Sequence, residues 1–507
     1  MRALVLLLTF LLPRPPALAK DKTEAPRLLA AAGKVDISPE PARRVVWLAG
    51  YGAHGRRALG VHDPLYARAL VVSDGRRTVA LVSVDALGLY RQDVEDIRRD
   101  LGWDGTGRYL FIAATHDHSA PDSLGLWGRW PGISGVDLRY HRALKLKVAR
   151  LVRETAGRLE AARLSAASVR LDPRGLCRDS RDPKVLDPEL NALSLRAPDG
   201  RTLGTLVRWS CHAEVLGESN RQATADFPGA LCDRVEERTG GGCVFMPGLL
   251  GGLQTPDVER SESDRDFALA RELGEKLADA ALAGLEKADT WPSAEVGFQS
   301  QVARVPVDNS IYLLFLRSLL FGHTLSDKQG RAIGPWRAAL LSLRHLAFFP
   351  LPDRARPWIE TEVSLVRLGP VRVLGVPGEL FPELALGGYD GSLSFGRPVT
   401  DPANPNPPPL DLAPEGPYLR ELLKAKHGLI VGPANDEIGY IVPEYDFQTT
   451  RRRSMHPRPK GNHYEETNSV SRRAAPTLLN ACLKLLEADA APRPKARPAS
   501  GKGNFVK

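Results

Sequence analysis

The sequence predicts an α/β protein in which a single large domain carries mixed β-sheets flanked by helices. Short runs rich in Val, Leu, Ile and aromatics, bounded by Gly and Asp, recur along the chain and read as buried strands. Between them lie stretches whose apolar residues repeat at helical spacing. The chain has 507 residues, 43% hydrophobic and 25% charged, with no internal repeat and no heptad pattern, so it can bury a core without disulfide or metal staples. Fibrous, collagenous and wholly disordered proteins are excluded by the same proportions.

In chain order, Tyr66 to Ser73 (YARALVVS), Val79 to Val84 (VALVSV) and Tyr109 to Ala114 (YLFIAA) read as strands, with a helix from Gln92 to Asp100 between the last two. Strand, helix and strand in succession are the grammar of a parallel or mixed sheet. Arg139 to Leu159 is a long amphipathic helix, because Leu144, Val148, Leu151 and Val152 fall on one face. Strands recur at Leu164 to Leu171 and Thr202 to Cys211, and helices at Pro228 to Arg238 and Asp264 to Leu285. From 295 to 376 strands mix with a helix at Trp336 to Leu346, ending in strands Glu360 to Leu368 and Val371 to Val376. Thr400 to Pro417 (TDPANPNPPPLDLAPEGP) is a proline-rich loop, read as an excursion from one domain because motif-bearing segments flank it. A helix at Ala475 to Ala488 closes a domain placed at residues 25–490.

The two ends read differently. Arg2, the apolar run Leu4 to Leu12 (LVLLLTFLL) and Ala17-Leu18-Ala19 make residues 1–19 a secretory signal peptide. Its apolar run is too short to cross about 30 Å of hydrocarbon. A secreted or periplasmic location, with at most peripheral membrane contact, is the expectation. Residues 491–507 carry Arg493, Lys495, Arg497, Lys502 and Lys507 and no acid, and read as a basic disordered tail. The formal charge is +9, but without Arg2, Arg14 and those five cations the body holds 62 basic against 60 acidic residues. A body that close to neutrality is not expected to bind nucleic acid. Cys177, Cys211, Cys232, Cys243 and Cys482 are too sparse for a disulfide framework and include no CxxC. A Cys232–Cys243 pair and buried free thiols are the two readings for them.

Candidate chemistry sits at the ends of strands, where α/β folds bind ligands. Thr115-His116-Asp117-His118-Ser119 follows the strand Tyr109 to Ala114, and residues two apart in an extended segment share a side, so both histidines can approach one centre. Imidazole suits a metal such as zinc, while hydrogen-bonded loop histidines are the bland alternative. His212 ends the strand Thr202 to Cys211 in the same manner. Asp226 can orient a ligand histidine or cap the helix expected from Pro228. Glu379, in Pro377-Gly378-Glu379, follows Val371 to Val376 and opens a short helix; Tyr440 lies in Asn435 to Ile441, beyond the strand Leu429 to Val431. Two histidines, a glutamate and a tyrosine would form a zinc site with room for a water.

These residues, with Ala32-Gly33-Lys34-Val35-Asp36-Ile37, Gly60 to Leu70 (GVHDPLYARAL) and the Gly251 to Pro256 turn, resemble in order and spread the catalytic domain of the neutral/alkaline non-lysosomal ceramidases. The resemblance runs from Ala31 to Ser469. It implies an exported amidohydrolase with one zinc ion per chain, cleaving the N-acyl bond of ceramide or a related N-acyl lipid. It places His116, His212, Glu379 and Tyr440 as zinc ligands and His118 beside the metal as hydrogen-bond partner and proton donor to the leaving amine. It also implies an arginine near the reacting carbonyl, Arg178 with Arg181 as the alternative. The family's Gly-Asp-x-Ser-Pro turn stands here as Gly251-Gly252-Leu253-Gln254-Thr255-Pro256, where Thr255 supplies the hydroxyl. The domain ends near 490, leaving no room for the C-terminal immunoglobulin-like domain of full-length ceramidases.

Two other classes compete. THDHS resembles half of the THxHxDH motif of dinuclear metallo-β-lactamase-type hydrolases, but Ala120 and Pro121 stand where Asp and His should follow. The altered Gly251 to Pro256 turn is also compatible with an exported binding protein that keeps the fold without catalysis.

Overall fold

A computed structural model describes residues 28–490 except 104, 262, 264, 310–311, 314–321, 347–354 and 449–462. The expected signal peptide, residues 1–19, and basic tail, residues 491–507, lie outside the described residues.

Three mixed sheets carry the α/β fold. The first runs, in spatial order, Arg108–Ala114, Thr78–Val84, Tyr66–Ser73, Leu29–Asp36 and the short Glu160–Ala161. The second runs Gly242–Pro247, Thr202–Trp209, Glu189–Arg196, Arg163–Arg170 and Asp289–Trp291. The third runs Val296–Pro306, Trp358–Leu368, Val371–Gly375 and His427–Val431. Each sheet is antiparallel except for one parallel pair at an edge: Thr78–Val84 with Arg108–Ala114, Thr202–Trp209 with Gly242–Pro247, and Val371–Gly375 with His427–Val431. Parallel neighbours need a crossover, and helices Arg91–Leu101 and Asp226–Thr239 provide it in the first two sheets. Both strands of such a pair finish on the same edge, and that edge is where the candidate residues emerge.

One apolar core draws on all three sheets, with Leu70, Leu81 and Phe111 from the first, Leu193, Leu206 and Met246 from the second, and Val366, Val373 and Leu429 from the third. Alternate residues point outward onto helices. Val71, Val82 and Ile112 meet Ile97 and Val148; Val207 and Phe245 meet Leu231 and Leu277; Val363 and Leu374 meet Leu478 and Leu485. With both faces covered, the strands read as near-continuous apolar runs rather than as polar–apolar alternation.

Most expected elements recur within a few residues. The strand Glu189–Arg196 was not anticipated, since its Glu, Asn and Ser interrupt the apolar run. The crossover helix begins at Asp226, not Pro228. Glu379 does not open a helix: Glu379–Leu380 is a two-residue strand, and the next helix is Pro382–Leu386. All five cysteines are buried free thiols, so the Cys232–Cys243 pair does not form. No helix among the described residues is long and apolar enough to cross a membrane.

A buried ion pair joins the second and third sheets. The guanidinium of Arg208 pairs with Asp187 and donates to the carbonyls of Ile430 at 2.9 Å and Glu189 at 3.2 Å. Neither side chain is more than 1% exposed, so removing one charge strands the other. Asp187→Ala should cost on the order of 3–5 kcal/mol, a large share of a typical domain's stability, read as a lowered midpoint of urea unfolding.

Candidate metal centre

His116 and His118 follow the edge strand Arg108–Ala114 of the first sheet, and His212 follows Thr202–Trp209 of the second. Glu379 and Tyr440 lie beyond the parallel pair of the third, facing each other in a two-residue parallel ladder, Glu379–Leu380 with Tyr440–Ile441. The ladder closes tightly because Gly378 has no side chain; a Cβ there would lie 2.5 Å from the Gly439 carbonyl oxygen. All five candidate side chains are buried.

The three imidazoles form one cluster, their ligand atoms within 4.8 Å of one another. They do not converge through an extended His-x-His segment. His116 adopts a left-handed conformation at φ 59°, and the following backbone turns over the second sheet, Asp117 N–H bonding to Ala86 and His118 N–H to Ala213. Gly50 lets the chain pack on the His118 ring, since a Cβ there would sit 2.5 Å from its Cγ. Arg56 clamps the outer side, donating to the carbonyls of Ala49, His118 and Asn220.

Donor atoms meet around a point. His212 Nε2 lies 2.9 Å from Glu379 Oε2 and 3.4 Å from Tyr440 Oη, and His116 Nε2 lies 3.6 Å from Glu379 Oε2. Ligand atoms of a tetrahedral zinc at about 2.0–2.2 Å stand roughly 3.3–3.6 Å apart; the 3.4 and 3.6 Å separations match such a shell, and the 2.9 Å His212–Glu379 contact is shorter than one. The His212 Nδ1 donates to the Gln254 carbonyl at 2.9 Å, which leaves Nε2 of the neutral ring as a bare lone pair facing a carboxylate. That contact needs a positive charge, from a proton or from a metal ion. His118 has neither ring nitrogen in a hydrogen bond. An unpaired buried group of this kind, beside a nitrogen and oxygen donor set, fits a bound divalent metal.

Electrostatics follow from burial and neighbours. Burial, opposed by the Glu379 charge, pushes the His116 imidazolium down to about 4. Burial, with His116 and His212 alongside, holds His118 well below the usual histidine range. At His212 burial acts downward, but the Glu379 hydrogen bond and charge outweigh it and raise the ring. Burial and the Glu379 charge raise Glu437 and Tyr440 well above their ordinary values.

No protein-family model matches the sequence, and neither does any curated protein. Solved structures do. Neutral ceramidase from Pseudomonas aeruginosa superposes with a TM-score of 0.63 at 17% identity, over 94% of this chain and 78% of that one. A ceramidase complexed with C2 superposes with a TM-score of 0.60 at 16% identity, again over 94% and 78%. The chain has the neutral ceramidase fold.

On that ceramidase fold the remaining expected residues fall in different places. Arg178 is exposed on the strand Cys177–Asp179, directly across the ladder from Thr255. Arg181 is 3% exposed and locked in ion pairs with Asp446, Glu465 and Glu466, so the alternative arginine belongs to a buried network. Thr255 is buried, its hydroxyl 3.5 Å from Arg260. Asp226 does not cap the crossover helix, whose N-cap is Ala225; it is the first helical residue, and its carboxylate accepts from the N–H groups of Phe227 and Leu216, while burial pushes it up to about 7.

Several contributors escaped the sequence reading. Glu214 Oε2 lies 3.5 Å from His118 Nδ1, and Glu437 Oε2 lies 3.8 Å from His116 Nδ1. Glu214 stands two residues past His212, the same spacing that singled out His118, and was legible to that extent. Gln254 acts through its carbonyl, which no side-chain motif reports. The hydroxyls of Tyr440 and Tyr464 lie 2.9 Å apart. Tyr464→Phe removes that partner and keeps the ring, so divalent metal affinity should fall roughly 10- to 100-fold in calorimetric titration while the circular dichroism spectrum is unchanged.

Proposed function

We propose that the protein is an exported, zinc-dependent amidohydrolase that cleaves the N-acyl amide bond of ceramide or a related N-acyl lipid. The observation that carries this reading is the convergence of His116, His212, Glu379 and Tyr440 donor atoms from three sheets, with His118 beside them. The likeness of the fold to neutral ceramidases supports the choice of amide chemistry. Zinc bound by these four side chains supplies Lewis acidity and makes a water nucleophilic near neutral pH.

The chain's own groups do the rest. With its pKa depressed, His118 is neutral at physiological pH, and its Nδ1 faces the Glu214 carboxylate. A proton on Nδ1 leaves Nε2 free to take the proton released as water adds to the amide carbon. The same nitrogen then returns it to the leaving amine as the C–N bond breaks, giving a carboxylic acid and an amine; the acid's proton passes to the amine, which leaves a carboxylate and an ammonium product. The Gln254 carbonyl fixes the tautomer and orientation of His212. Arg178, across the ladder from Thr255, is the cation assigned to the reacting carbonyl. The four donor atoms converge on one centre, which favours a mononuclear over a dinuclear hydrolase.

His116→Ala and Glu379→Ala should each lose zinc and lower amide hydrolysis by about a thousandfold or more, with the fold retained, measured by metal analysis and release of free amine. The parent should hold one zinc per chain; two would favour the dinuclear reading. Arg178→Ala should keep its zinc and lose turnover, and an unchanged rate in Thr255→Ala would make that hydroxyl dispensable. Zinc binding without turnover of any ceramide, N-acyl amino acid or simpler N-acyl amine would assign the protein to ligand binding.

A further inference from the structure

Helix Pro335–Leu346 lies in the excursion between the antiparallel neighbours Val296–Pro306 and Trp358–Leu368 of the third sheet. Its inner side is ordinary: Ala338 and Leu341 pack into the apolar cluster on the outer face of that sheet. Its outer side is not. Trp336 is 89% exposed, Leu340 66% and Leu343 62%. Spaced four and three residues apart, they form one stripe along the helix. Burying such side chains is favourable, so a row of three facing water marks a surface with a partner rather than scattered exposure.

The charges beside the stripe indicate which partner. Arg337 and Arg344 are exposed on the same helix, and residues 335–346 contain no Asp or Glu. Neither Arg337 nor Arg344 pairs with an acid among the described residues. A Trp and two Leu in line, with arginines alongside and no acid, match the boundary between acyl chains and anionic headgroups. The same excursion reaches the metal centre. Tyr312 donates to the Asn468 carbonyl at 3.0 Å and lies against Gly439, next to Tyr440; His323 bonds Asp436 at 2.9 Å, next to Glu437.

We propose that the outer face of helix Pro335–Leu346 docks on the surface of an anionic phospholipid bilayer, with Trp336, Leu340 and Leu343 entering the headgroup boundary and Arg337 and Arg344 meeting lipid phosphates. Docking stands on the stripe and its charges. Its further consequence, delivery of an N-acyl lipid from the bilayer into the adjoining site, rests on the amidohydrolase reading.

The test is co-sedimentation of the full chain with phosphatidylcholine vesicles, with and without phosphatidylglycerol. The parent should bind the anionic vesicles, and less so as salt rises. The triple variant Trp336→Ser, Leu340→Ser, Leu343→Ser should bind at least about tenfold more weakly, and Arg337→Glu with Arg344→Glu should abolish the preference for anionic lipid. Both variants alter exposed side chains, so an unchanged circular dichroism spectrum is expected. The two chain ends are common to parent and variants, so the difference reports the helix face. No binding by the parent, or equal binding by parent and triple variant, overturns the proposal. So does a parent dimer, seen by light scattering, that the triple variant dissociates without any change in vesicle binding; that result gives the face to a second copy. Docking without hydrolysis of any N-acyl amide would uphold the surface and refute the amidohydrolase reading alone.

Discussion

The centre of this protein is organised by one electrostatic requirement. His212 gives its Nδ1 proton to a backbone carbonyl, so its other nitrogen must face the Glu379 carboxylate as a bare lone pair 2.9 Å away. Two electron-rich atoms hold that distance only with a positive charge between or on them. Burial then bears on which charge. It depresses the protonated forms of His116 and His118, while the Glu379 carboxylate raises that of His212; a proton can serve the one contact, whereas a divalent ion would satisfy several donors at once.

The three sheets explain how such a centre is assembled. Each ends its parallel pair at a common edge, and each contributes through the loops beyond that edge. A chain that buries both faces of every sheet leaves strand ends as the places where polar side chains collect. This physical regularity made much of the site readable. Apolar β-rich runs announced their own ends; His116, His118, His212 and Glu379 stand within a few residues of them and Tyr440 nine residues beyond Val431. What could not be read was local geometry and anything carried by the backbone. The left-handed turn at His116 depends on pairing with Ala213, almost a hundred residues later, and the orienting group at Gln254 is a carbonyl shared by every residue type. Arg181 shows the converse. Three residues after Arg178 it is the alternative candidate, and only the fold reveals that three carboxylates have already claimed it.

That claimed arginine has its own part to play. Arg181 holds Glu465 and Glu466, which follow Tyr464 directly, and Tyr464 lies within hydrogen-bond reach of Tyr440. A buried ion network therefore supports the position of a hydroxyl at the centre. Breaking one charge in such a network is expensive, which is the property needed of a rigid support.

The donors that meet at the centre are far apart along the chain; His212 and Glu379 are separated by 167 residues, and His212 and Tyr440 by 228. No short segment contains the site, and no early folding intermediate built from local contacts can possess it. Closing loops of that size comes late and slowly. Acquisition of the metal would thus report completed folding, and a chain that emerges unfolded from its site of synthesis would expose these donors singly, when none of them binds an ion tightly.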